Sequence, residues 1–205
     1  MATRRVIEET GFQKLSAREI ARAIEYAPGT LYNMFQNLED ILLRVESRIL
    51  DELDQTMGRA MSGTRGAEAV RRFAAAYIDY AYQHPRLWEL LQEHYPSSRK
   101  AGPDWYLERL YAPLARLENA VGQIAPRLNA DDTARTARLI WTSLHGLLQV
   151  ATNPKFGQMP LATTRSMAET LAAQLAPATA LAPSRSSTSR RIDADSKPAR
   201  PQERV

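Results

Sequence analysis
The chain has 205 residues, 44% of them hydrophobic, enough to enclose a sizeable core in one domain or in a small domain joined to a medium one. It has no cysteine, which excludes disulfides, thiolate metal sites and cysteine nucleophiles. The net charge of +4 lies mostly in residues 177–205, so the body is close to neutral and its charge alone argues for no nucleic-acid partner.

No apolar export core follows the opening residues, and the longest apolar run, residues 73–78, stops at Asp79, far short of a bilayer span. The chain is expected to be cytoplasmic, with no membrane partner. Helical spacing governs everything ahead of residue 177, and no stretch alternates with the two-residue period of a strand. An all-α fold is expected.

Ser16-Ala17-Arg18-Glu19 is a capping box: the serine hydroxyl can accept from the amide three residues on, while Glu19 reaches back. The short helix it opens carries Ile20 and Ile24 on one face. Ala27-Pro28 starts a second short helix, with proline in the first turn. Asn37 caps a third, longer helix whose apolar stripe is Leu38, Ile41, Leu42, Val45, Ile49 and Leu53. After a turn at 62–64, Val70, Phe73, Ala74, Tyr77 and Ala81 recur at helical spacing until His84-Pro85 breaks the pattern. Residues 85–95 form another helix, and 96–103 a loop. A helix with Leu107, Leu110, Leu114, Leu117, Val121 and Ile124 follows, with Pro113 expected to kink or restart it. Residues 131–152 are helical, with Ile140, Leu144, Leu147 and Ala151 aligned. After a loop at 153–160 comes a last helix, 163–175, with Met167, Leu171 and Leu175 in line. Residues 177–205, rich in Ala, Pro, Ser, Thr and Arg, read as a disordered, solvated tail.

A helix-turn-helix needs a first helix across the DNA backbone, a tight turn, and a second helix whose N-terminal residues reach base edges. Residues 16–35 supply these parts. Ile20, Ile24, Tyr26, Leu31 and Met34 fall where the two helices should pack, and Ala21 is small where they come closest. The candidate DNA-contacting residues are Ser16, Ala17 and Arg18 on the first helix, then Ala27, Pro28, Gly29, Thr30, Tyr32 and Asn33. Small residues at the second helix's start let backbone amides approach phosphate, Tyr32 and Asn33 can reach phosphate or base edges, and Arg18 suits a phosphate. The bland alternative is a pair of short helices in an ordinary bundle.

Gly11-Phe12, Ile20-Ala21, Gly29-Thr30-Leu31-Tyr32, Phe35 and Asn37-Leu38-Glu39-Asp40-Ile41-Leu42 together resemble the tetracycline-repressor-like (TetR/AcrR) transcriptional regulators. The stretch Trp141-Thr142-Ser143-Leu144-His145-Gly146-Leu147 resembles the second half of one branch of that family. The resemblance implies a homodimer on double-stranded DNA. Residues 1–50 would be a three-helix DNA-binding domain, 51–176 a larger helical effector-binding and dimerisation domain, and 177–205 the tail. It also implies a small-molecule effector, of unknown identity, that releases the operator of a repressor. Three departures stand out. Family members carry about ten more residues ahead of Arg4-Arg5, so the first helix would begin midway. Glu25 replaces the turn glycine, and Leu38 replaces a lysine that contacts phosphate. Residues 1–60 hold eight basic and ten acidic side chains, so affinity must come from a few placed groups and from pairing of subunits.

Tyr77, Trp88, Tyr106, Trp141 and His145 are candidates for the effector pocket, aromatic walls with polar tips; core packing accounts for them equally well. No phosphate loop, metal-ligand spacing or Ser/His/acid constellation is visible, so no catalytic residue, metal or cofactor is expected. The competing function is an all-helical ligand-binding or interaction protein that has lost DNA binding.

Overall fold
The computed structural model describes residues 2–94 and 102–180. The tail beyond residue 180 and most of the loop expected over 96–103 lie outside the described residues. Within them the fold is α-helical throughout: α1 (Ala2–Thr10), α2 (Ala17–Ala23), α3 (Pro28–Met34), α4 (Leu38–Met61), α5 (Gly66–Gln83), α6 (Pro85–Glu93), α7 (Asp104–Ile124), α8 (Ala130–Thr152) and α9 (Leu161–Ala180), with a 3-10 turn at Pro154–Phe156.

The caps sit where side chains can supply them. Ser16 accepts from the Glu19 amide, Asn37 from that of Asp40 and Asn129 from that of Asp132. Gly11, at φ 81°, ends α1, and its amide closes on the carbonyl of Ile7 at 2.8 Å.

The first three helices pack around Val6, Ile7, Leu15, Ile20, Ala21 and Leu31, and the start of α4 closes this core with Ile41 and Leu42. The helix α4 then leaves the small domain and becomes a wall of the larger one, packing on α5 and α7. Its far half is pinned to α7 by Arg116, which donates to both Asp54 carboxylate oxygens at 2.5 and 2.7 Å. Gly58 makes room for that guanidinium: a Cβ there would lie 3.0 Å from it.

The centre of the larger domain is α5, packed against α4, α7 and α9. Val70, Phe73, Ala74 and Ile78 are fully buried. Against them α9 turns Thr164, Ala168, Ala172 and Ala176, four residues apart; of the expected stripe, Leu171 and Leu175 are half-buried against the core and Met167 is not. Met167 is 44% exposed. Small side chains at the fully buried positions of α9 let its backbone come close to that of α5, against which it packs.

Two other expectations change. α9 runs on through 177–180, residues expected to belong to the tail. Pro113 does not restart α7, which is continuous, and the proline ring is buried.

Candidate nucleic-acid interface
The turn between α2 and α3 is a Schellman motif. The Tyr26 amide donates to the Ala21 carbonyl at 2.9 Å and the Glu25 amide to that of Arg22 at 3.2 Å. The residue between the helices must take a left-handed conformation, and Glu25 does so at φ 60°. Glu25 is exposed, and a left-handed L-residue costs about 1–2 kcal/mol, part of which glycine would return as unfolded-state entropy. Glu25→Gly is therefore expected to stabilise the protein by about 0.5–1 kcal/mol in thermal unfolding. A destabilised variant would mean that the glutamate side chain contributes more than its backbone strain.

Behind this turn Ile20, Ala21 and Leu31 are buried, as their spacing required. Tyr26 and Met34 are not: they are 59% and 58% exposed, on the outer surface and not between the helices. The Schellman turn carries Tyr26 past the end of α2, and Met34 lies three residues beyond buried Leu31, past the edge of the stripe. Tyr32, at 56%, joins them. Three large side chains of the small domain are thus exposed.

Among the candidate DNA contacts, Arg18, Ala27, Pro28, Gly29, Tyr32 and Asn33 are exposed and Thr30 is half-buried. No side chain caps α3, and a Cβ built on Gly29 meets nothing within 4 Å, so the start of α3 is open to an approaching phosphate. Two candidates turn inward. Ala17 is buried in the core of the small domain. Ser16 is occupied locally: its hydroxyl donates to Glu19 at 3.0 Å while accepting from the Glu19 amide at 3.2 Å. Leu38 opens α4 half-buried, packed against the core.

The larger domain brings four of the five pocket candidates together. Tyr77 and Trp88 meet edge to face at 5.1 Å, and the His145 ring lies 6.0 Å from both Trp88 and Trp141. The Tyr77 hydroxyl is 3.0 Å from His145 Nδ1. Burial raises the phenol's pKa and lowers that of the imidazole, so the contact joins a protonated phenol and a neutral ring. Tyr106 lies apart: its hydroxyl donates at 2.7 Å to Glu46 of α4. Next to the cluster, Trp88 also lines a cleft of about 450 Å³ between α6, the end of α8 and the 3-10 turn.

Sequence reasoning passed over Glu46. It is 1% exposed and accepts from Tyr106 and from His94 Nδ1. Its signal was present, since Leu42, Glu46, Leu50 and Leu53 continue one helical face and place an acid inside an apolar row. Farther along, Leu139 and Val150 of α8 and Met167 of α9 are 42–44% exposed. Gly146, between the first two on the same face of α8, has no neighbour within 4 Å of a Cβ.

Residues 1–45 match the family profile of bacterial regulatory proteins of the tetR family, and 70–175 that of the tetracyclin repressor-like C-terminal domain. The chain is 23% identical over 151 residues to an uncharacterised HTH-type transcriptional regulator of Mycobacterium tuberculosis, Rv0681, a stretch covering 69% of this chain and 63% of that protein. In fold it is similar to a transcriptional regulator FadR from Bacillus subtilis solved in complex with stearoyl-CoA, with TM-score 0.64 and 19% identity over 83% of this chain and 94% of that one. It is similar also to the fatty acid degradation regulator FadR from Bacillus halodurans, with TM-score 0.63 and 19% identity over 84% and 94% of the two chains.

Proposed function
The chain belongs to the TetR family of bacterial regulatory proteins, DNA-binding transcriptional regulators of the helix-turn-helix type, and we propose that it is a ligand-responsive repressor that grips a pseudo-palindromic operator as a homodimer. The observation that carries this reading is the outer face of the motif. Gly29, Thr30, Tyr32 and Asn33 stand on an uncapped, open helix start, while Ile20, Ala21 and Leu31 lock that helix from behind. Phosphate contacts from Arg18 and from α3 amides set the register, and Tyr32 and Asn33 reach base edges or the flanking phosphate.

Pairing is proposed through α8 and α9. Leu139, Gly146 and Val150 share a face, Met167 lies on the neighbouring helix, and the glycine allows a partner helix to come close. Effector binding is proposed at the cluster of Tyr77, Trp88, Trp141 and His145. An apolar effector with one polar group would match three aromatic walls and one neutral imidazole. The stearoyl-CoA held by the Bacillus subtilis FadR joins a long apolar chain to a polar head, and acyl thioesters are the first effectors to try.

The test is selection of bound duplexes from a random pool, followed by binding at graded salt. Two related half-sites about one helical turn, or a multiple, apart should emerge. Affinity should fall at least about tenfold between about 50 and 200 mM salt. A Leu139→Glu, Val150→Glu chain should sediment as a monomer and lose the two-site complex. No enriched sequence, or enrichment of a single half-site bound equally well by that variant, would overturn the proposal.

A further inference from the structure
The three histidines of the chain all lie at α6. His84 is the residue before its first turn and His94 the residue after its last. The ring of His145 stands against Trp88 in its middle. This nine-residue helix is also where the larger domain meets the small one: α6 packs against α1, and Gln13, in the turn ahead of α2, donates its amide to Glu89 at 2.8 Å and Glu93 at 3.2 Å. Both flanking histidines face carboxylates of α4, the helix that runs from one domain into the other. His84 Nε2 is 4.0 Å from Glu52, and His94 Nδ1 is bonded to Glu46. The two glutamates are six residues apart, about 9 Å along α4. Each is held from a second side, Glu52 by Arg4 of α1 and Glu46 by Tyr106 of α7.

We propose that α6 is a proton-sensitive clasp, in which protonated His94 pins the end of α6 to Glu46 of α4, and loss of that proton loosens the coupling between the effector domain and the DNA-binding domain. The geometry favours the charged pair. Glu46 is buried, its second oxygen is taken by Tyr106, and a buried carboxylate without a charged or hydrogen-bonded partner is costly. The described ionisable groups that face His94 are Glu46 and Glu39 of α4, with Tyr106 of α7 behind Glu46. Around the other end, His84 and Glu52 are faced by Arg4 and Glu8 of α1 and by Tyr80 of α5, whose ring is 4.8 Å from that of His84. The bond to Glu46 raises the pKa of His94 above the ordinary 6.5, with the charges of Glu46 and Glu39 adding and burial opposing. A raised imidazole contributes its full stabilisation below pH 6.5 and loses it as pH rises through the folded-state value. The clasp is therefore tight below pH 6.5 and loosens as pH rises through the raised folded-state value of His94.

The consequence for operator affinity rests on the DNA-binding reading above; the clasp itself does not, and the experiment separates them. Imidazole resonances of the full chain are followed by NMR against pH, in the wild type and in Glu46→Gln. His94 should titrate above 6.5 in the wild type and lower in the variant. A wild-type value at or below 6.5, or one that Glu46→Gln leaves unmoved, overturns the clasp. If Glu46→Gln does not fold, His94→Asn serves, since its amide keeps a donor near the Nδ1 position without a titratable charge. The fall in melting temperature with rising pH should then be shallower than in the wild type, and an unchanged slope overturns the proposal. On a selected duplex, Kd at about pH 6 and about pH 8.5 should differ by about three- to tenfold more in the wild type than in His94→Asn. If the NMR result holds and no duplex is bound, the operator reading fails alone. If duplexes bind with the same pH dependence in both chains, the clasp fails alone.

Discussion

Replacing Thr30 and Tyr32 together with alanine is expected to abolish operator binding while leaving the folded protein unchanged. Tyr32 is more than half exposed and Thr30 half-buried, and neither belongs to the core that holds α3, which rests on Leu31. Exposed substitutions of this kind alter stability by about 0.5 kcal/mol or less. Lost contacts at the groove cost about 1–3 kcal/mol each, and a homodimer loses them twice. Even at the low end of that range, the four lost contacts correspond to a fall in affinity of about a thousandfold. Fluorescence anisotropy on a selected duplex measures the loss, and circular dichroism with thermal unfolding checks the fold. A double variant that still protects the same duplex would remove α3 from the reading surface. The same pair of measurements applied to Ala17→Ser should give little change in affinity, because that side chain lies in the core of the small domain.

The second large effect is expected from Phe73→Ala. Phe73 is fully buried on α5 and stacks on Tyr77, with ring centroids 6.0 Å apart and planes 11° from parallel. Because α4, α7 and α9 all close on α5, no single neighbour can move to fill the space without leaving another contact. Truncating such a phenylalanine costs about 3–5 kcal/mol, the transfer term plus a cavity term. For a chain of this size that lowers the melting temperature by about 6–20 °C. Scanning calorimetry measures it. A fall of less than about 3 °C would mean that α5 is not the centre of the core. Met167→Ala on α9, by contrast, should alter the melting temperature of a monomeric variant little, since nearly half of that side chain is already in solvent.

Most of the interface could be read from residue order because its determinants are local. The capping box at Ser16, the proline opening α3, the cap at Asn37 and the left-handed turn imposed on Glu25 each depend on neighbours within four residues. What was misread there, Tyr26 and Met34, lies at helix ends, where a single residue's backbone rotation decides whether a side chain meets the bundle or the solvent. The burial of Ala17, next to exposed Arg18, was not legible either, because it depends on which helices close over the start of α2.

In the larger domain the sequence was informative about helices and less so about their faces. Periodicity marks an apolar stripe that is about 100° wide, and two adjacent stripes can both satisfy it. On α9 the Met167, Leu171 and Leu175 row and the Ala168, Ala172 and Ala176 row differ by one residue. The alanine row is fully buried, while Leu171 and Leu175 pack on the core half-buried and Met167 stays exposed. Likewise, Tyr77, Trp88, Trp141 and His145 converge from α5, α6 and α8, while Tyr106, of the same residue class, ends at Glu46 on α4.

The order of residues alone determined that this chain is helical, that its N-terminal third carries a helix-turn-helix of the TetR kind, and that Ser16 and Asn37 cap α2 and α4, because those outcomes rest on contacts within one or two turns. Only the tertiary structure decided which stripe of α9 faces inward, that Glu46 is buried between His94 and Tyr106, and that α6 stands between the two domains with a histidine at each end. Such choices depend on how closely separate helices approach and on which polar groups lose their water together. Both are properties of the packed assembly and of no single segment.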